Sequence, residues 1–245
     1  CIDILKAEKP NWLIVDHYAL DEQWQKRLKP YYEKLMVIDD LADRKHRCDT
    51  LLDQTFGRQQ EDYSALTPKG CKLLLGSQYA LLKPEFAKWR AYSLERRRKP
   101  EFKQLLINMG GADIDNVTES VLDELKACNL PNDIDITVVM GASAPHLGSV
   151  KSKANTLPHK AEVMVNVDNM AEIMANADIA IGAAGSTTWE RCCLGLPAIQ
   201  IVVAKNQSLI AELLSRKNAI QYLQDISQLP NMLNNAESWI KNIGN

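Results

Sequence analysis

The apolar residues of this chain fall in short clusters, separated by stretches in which apolar positions recur at helical spacing. In the first part, clusters at 12–15, 35–38, 50–52 and 72–75 read as strands. Between the first two, Leu20, Trp24, Leu28 and Tyr31 lie on one helical face, and Asp21 is placed to cap that helix. In the second part, strands are predicted at 104–108, 134–140, 163–167, 179–183 and 198–203. These are rich in Ile, Val and Leu, as strands covered by helices on both faces of a parallel sheet must be. Val117, Val121, Leu122 and Leu125 form one intervening helix face; Met170, Ile173, Met174 and Ala177 form another, with the methionines reading as core filler. Residues 227–243 read as one or two terminal helices. The pattern predicts an α/β fold with parallel sheets.

A basic run, Arg96-Arg97-Arg98-Lys99-Pro100, lies in a charged joint at 93–103. We expect a solvated linker there, between an N-terminal domain at 1–95 and a C-terminal domain at 103–245. The run is isolated and the net charge is -2 with a pI of about 6.1, so nothing suggests a nucleic-acid partner. The 245 residues, 46% of them apolar, suit two modest domains or one large one. No apolar run approaches the ~18 residues of a membrane span. The six cysteines have no framework spacing, and His17, His46, His146 and His159 stand far apart. Reduced thiols in a cytoplasmic protein, with no signal peptide, no metal and no cofactor, are the expectation. The chain opens at Cys1 with helical spacing already under way at Ile4 and Leu5, as if entered in mid-pattern.

The most informative stretch runs from Ala177 to Glu190. A strand ends in a small-residue turn at Gly185, and Ser186, Thr187 and Thr188 open a helix. Gly185 lets backbone approach a ligand closely, and the first helical N–H groups attract anions. Glu190 stands one turn inside, in reach of a sugar hydroxyl. Asn206-Gln207 follows the next strand, at the end where parallel sheets bind ligands. Together these predict a nucleotide diphosphate site; a plain strand–turn–helix connection is the alternative. A second glycine turn, Met109-Gly110-Gly111-Ala112-Asp113, follows the strand at 104–108. It is neither Gly-x-Gly-x-x-Gly nor a Walker loop. It reads equally as a cleft-facing turn with Asp113 and Asn116 as polar groups, or as a tight connection with Asp113 or Asp115 capping a helix. Asp16-His17-Tyr18 and Asp39-Asp40 also end strands; neither specifies a reaction unaided.

These pieces occur in order with Ile38-to-Arg44, Gly76-to-Leu82 and Ala204-Lys205-Asn206-Gln207. Over residues 12–219 the set resembles the nucleotide-sugar hydrolases of pseudaminic acid biosynthesis, which release UDP from UDP-2,4-diacetamido-2,4,6-trideoxy-β-L-altrose. That family is similar in turn to the GT-B glycosyltransferase that makes lipid II. The resemblance implies two Rossmann-like domains with a cleft between them, the first incomplete here, and UDP held mainly by the second. It implies diphosphate on Gly185, Ser186 and Thr187, ribose on Glu190, and diphosphate or sugar on Asn206 and Gln207. Backbone near Val167, with Met170 beside it, would read the uracil, and Tyr18 would support the sugar. Family members carry their base histidine on a Gly-x-Gly-His loop, and no such sequence occurs in these 245 residues. Two βα units, of order 60 residues, are expected ahead of Cys1, and the chain as given is expected to be inactive. The implied reaction is metal-free attack of water on the anomeric carbon. Two other readings stand beside it: a UDP-sugar glycosyltransferase, and a non-catalytic UDP-sugar-binding half. The oligomeric state is not legible.

Overall fold

The computed structural model describes residues 1–204 and 207–242, in two compact units that divide between Leu81 and Leu82. The first unit contains α1 (Ile2–Glu8), β1 (Trp12–Val15), α2 (Glu22–Leu28), β2 (Lys34–Ile38), β3 (Thr50–Asp53) and β4 (Lys72–Leu75). Its strands form a parallel sheet in the order β1-β2-β3-β4. All four fall where the apolar clusters predict, within one residue. Asp21 caps α2 as expected, its Oδ1 accepting from the Gln23 and Trp24 N–H groups. The α-helix nevertheless stops at Leu28, and residues 29–31 form a 3₁₀ turn. Pro30 is the reason: its ring clashes with the carbonyl four residues back and cannot continue an α-helix. The core of this unit gathers Val15, Leu28, Leu35, Val37, Leu51 and Tyr63.

The second unit opens with α3 (Pro84–Arg96). There follow β5 (Gln104–Asn108), α4 (Val117–Leu125), β6 (Asp135–Met140), α5 (Leu147–Ala154), β7 (Lys160–Val165) and α6 (Met170–Asn176). The second half holds β8 (Ile179–Ala183), α7 (Thr187–Cys193), β9 (Ala198–Ile201), α8 (Ser208–Arg216), β10 (Gln221–Leu223), α9 (Leu229–Asn234) and α10 (Ala236–Asn242). The strands form one parallel sheet in the order β10-β9-β8-β5-β6-β7. The chain starts in the middle at β5, winds outward through β6 and β7, then returns to wind the other way from β8. The direction of winding therefore switches between β5 and β8.

Three expectations need correcting here. The division falls well before the anticipated joint, because α3 packs with the second unit. Its contact face carries polar groups that break the apolar period: Ser93 donates to the Leu194 carbonyl at 2.7 Å. The basic run is only partly solvated. Arg96 pairs with Asp178 at 2.5 Å. Arg97 donates to the carbonyls of Met174, Ala175 and Ala177 at 2.9–3.1 Å, satisfying the end of α6. Finally, β7 and β9 end earlier than predicted, which leaves Val167 in a loop, and the short β10 has no clear period of its own.

Candidate functional site

Since all six strands of the second unit run parallel, the loops after them emerge on one edge of the sheet. At the switch between β5 and β8 the two crossovers leave in opposite directions, the standard ligand position in such folds. The two glycine turns singled out in the sequence follow these two neighbouring strands.

Gly182 on β8 sits in register with Asn108 on β5. A β-carbon on Gly182 would stand 2.7 Å from the Asn108 carbonyl oxygen and would collide with Arg191. Asn108 is itself buried, donating to the Val139 carbonyl at 2.9 Å. Beyond it, Gly110 adopts a φ of 91°, a conformation that glycine tolerates without strain. Space is open around Gly110 and Gly111: a β-carbon on either would meet nothing within 4 Å. The Gly111 carbonyl accepts from the Gly141 N–H at 3.0 Å, which ties this turn to the loop after β6. Asp113 acts as the helix cap that was one of its two readings. Its two carboxylate oxygens accept from Val117 and Thr118 N–H groups at 2.9 Å each. Asn116 donates to Glu119 at 2.6 Å, while its buried Oδ1 has no partner among the described residues.

At the end of β8, Ala184 N–H donates to the Ile201 carbonyl at 3.1 Å. The next three N–H groups, of Gly185, Ser186 and Thr187, take no partner among the described residues. Gln207 reaches over from the next loop. Its Oε1 accepts from Val203 N–H at 3.1 Å, and its Nε2 lies 3.7 Å from where a β-carbon on Gly185 would be. Asn206 lies outside the described residues. Glu190 is half-buried, and its carboxylate takes no hydrogen bond or ion pair among the described residues. Burial raises its carboxyl pKa, Arg191 and Lys83 oppose this, and Glu85 adds to it. Val167 and Met170 lie in the loop after β7 and at the start of α6. They share the same edge of the sheet, two strands to one side of β5.

Tyr18 belongs to the first unit and is exposed. It donates to Asp40 at 3.2 Å, with the Arg44 guanidinium 5.6 Å from its ring centre. Burial and the Asp40 carboxylate push its phenol up to about 12. Behind it lies a buried ionic cluster at the carboxyl ends of β2 and β3. Tyr63 donates to both Asp39 and Asp53 at 2.8 Å; Arg44 pairs with Asp39 at 2.7 Å and Arg58 with Asp53 at 2.5 Å. The strand-end position of Asp39-Asp40 was readable in the sequence, but their bonds to Tyr63 and Arg58, distant along the chain, were not. Sequence reasoning also passed over Arg191, which is buried. The signal was a charged residue at an inward position of α7, three residues after buried Thr188.

Among the described residues, no group of three or more His, Cys, Asp or Glu could hold a metal ion, and no helix is long and apolar enough to cross a membrane.

The sequence profile of the glycosyltransferase family 28 C-terminal domain matches residues 105–238. The UDP-2,4-diacetamido-2,4,6-trideoxy-β-L-altropyranose hydrolase of Campylobacter jejuni is 30% identical over 88% of this chain, which spans 75% of that protein. The uncharacterized protein MJ1062 of Methanocaldococcus jannaschii is 28% identical over 91% of this chain. The chain spans 45% of the length of that relative. Among solved structures, Acinetobacter baumannii MurG superposes with a TM-score of 0.66 at 16% identity, covering 99% of this chain and 70% of its own. The α/β fold, with its two parallel sheets, is thus GT-B-like, as expected.

Proposed function

Because this chain belongs to the family that carries the glycosyltransferase family 28 C-terminal domain, we propose that its second unit binds a UDP-sugar at the β5/β8 switch and serves hydrolysis of that UDP-sugar. The observation that carries the binding reading is the pair of glycine turns that follow the neighbouring strands β5 and β8, the first open around Gly110 and Gly111, the second with three N–H groups unpartnered among the described residues. Diphosphate would lie along Gly185, Ser186 and Thr187, with Gln207 beside it and Gly110–Gly111 opposite. Asp113 and Asn116 would hold the second turn in shape, and Val167 and Met170 would border the base. Asn206 and Tyr18 are proposed on the resemblance alone.

Glu190 would hold the ribose hydroxyls, which donate to its ionised carboxylate. Glu190→Ala should then weaken UDP binding by roughly 1–3 kcal/mol, the usual effect of losing a hydrogen bond to a charged group. Its folded pKa is raised, so UDP affinity should fall as pH drops through that raised value and recover above it. Calorimetric titrations of UDP across the acid range test both points. Unchanged affinity in the variant, or a pH profile shared by Glu190→Gln, would assign Glu190 to structure.

For the reaction, we propose release of UDP from UDP-2,4-diacetamido-2,4,6-trideoxy-β-L-altrose by water, which the similarity to the Campylobacter hydrolase supports. The sequence contains no Gly-x-Gly-His, so no base is assigned to a residue here. Backbone N–H groups on the Gly185 turn would stabilise charge growing on the leaving diphosphate. The family's glycosyltransferase description favours a second reading, transfer of the sugar to an acceptor. The gene product carrying this chain, incubated with that substrate, should release UDP with no acceptor and no added metal. Release that requires a sugar or lipid acceptor would establish the transferase instead.

A further inference from the structure

Arg191 heads the largest fully buried side chains of the described residues, at 1% exposure. A buried arginine is ordinarily matched by a carboxylate, because taking a lone cation out of water costs several kcal/mol. No carboxylate among the described residues forms an ion pair with this one. Its Nη2 donates to the Ala183 carbonyl at 2.6 Å and contacts Thr188 Oγ1 at 3.5 Å, and its buried Nε has no partner there. Its Nη1 occupies the room left by the missing side chain of Gly182. Burial pushes its pKa down to about 10, which leaves it cationic at neutral pH.

The position of this charge is specific. It grips the last carbonyl of β8, two residues before Gly185, from inside the helix that the Gly185 turn begins. The same turn carries the three N–H groups without partners among the described residues. An anion seated on them would supply this cation with an opposite charge. The surroundings are buried protein, where such a pair is screened much less than at the surface.

We propose that Arg191 is a positioning residue for the phosphate groups of the ligand: its buried charge, which forms no ion pair among the described residues, is balanced by the diphosphate, so that this site prefers nucleoside diphosphates over the uncharged nucleoside. Arg191 touches no ligand atom in this reading. It acts by holding the end of β8 in place and by setting a positive potential behind the turn. The inference rests on the diphosphate reading of the Gly185 turn.

The test compares UDP and uridine affinities in the intact protein, unmodified and as Arg191→Met. UDP affinity should fall about 10–100-fold, the effect of losing one charge-assisted interaction, while uridine affinity should change less than about threefold. The rise in melting temperature produced by saturating UDP should shrink in the variant. Should Arg191→Met fail to fold, Arg191→Gln keeps a donor for the Ala183 carbonyl without the charge and carries the same expectation. If UDP affinity is retained within threefold, or if UDP and uridine affinities fall together, Arg191 is a structural strut and the inference is overturned. If the unmodified protein binds neither compound, it is the UDP reading itself that fails.

Discussion

Replacing Gly182 with alanine should destabilise the second unit by roughly 2–4 kcal/mol, because the added methyl overpacks a site that also holds a buried charge. Alanine in a strand interior ordinarily adds a little stability over glycine, so even the sign is informative. Here the methyl would come within 2.7 Å of the Asn108 carbonyl oxygen and would strike the Arg191 guanidinium. Neither neighbour can move aside easily. Asn108 belongs to β5, which is clamped between β6 and β8, and Arg191 is enclosed on all sides. Urea unfolding combined with amide hydrogen exchange in β5 and β8 reads the effect unit by unit. A loss below about 0.5 kcal/mol, the range of ordinary surface substitutions, would show that the close approach of the two strands is not needed. UDP binding should weaken in parallel, since the same contact sets the spacing of β5 and β8, from which the two glycine turns emerge.

In the first unit the largest loss is expected from Asp39→Asn. Its carboxylate accepts from Tyr63 at 2.8 Å and from the Ala42 N–H at 3.0 Å, and pairs with Arg44 at 2.7 Å. The asparagine amide would turn a donor toward groups that are themselves donors. Breaking a buried ion pair by removing one partner costs roughly 3–5 kcal/mol. The same carboxyl predicts an acid limit for this unit. Burial alone would raise its pKa, but His46, Tyr63, the Ala42 N–H and Arg44 outweigh burial and hold it well below the usual carboxylate range. A group depressed in this way contributes its full stability above the unfolded value of about 4, and loses it as pH falls below that toward the folded value. Hydrogen exchange in β2 and β3 should accelerate between about pH 4 and pH 2 in the unmodified protein. In Asp39→Asn it should already be fast at neutral pH and show a flatter acid response. An unaltered acid profile in the variant would place the sensitivity on another carboxylate.

The chain's local patterns determined the class of fold and most of its elements. Runs such as Leu105-Leu106-Ile107 and Ile179-Ala180-Ile181 admit few alternatives to strands covered on both faces, and glycine turns placed after them announce a strand-end site. Asp21 could be read as a cap because capping is a contact between near neighbours. The position of Gly185 and Glu190 relative to a strand and a helix was legible for the same reason. What lay beyond the sequence depends on residues far apart along it. The strand order, with β5 in the middle, comes from which apolar faces cover which, and it alone makes neighbours of the Gly110 and Gly185 turns. The helix at Pro84–Arg96 escaped notice because its packing face ends in Ser93 and Arg97, whose partners are carbonyls some 80 to 100 residues away. Arg191 reads as one more charge on a helix until the fold buries it behind Gly182. Its character as a cation without a carboxylate exists only in three dimensions, where desolvation turns a commonplace residue into a demand for an anion.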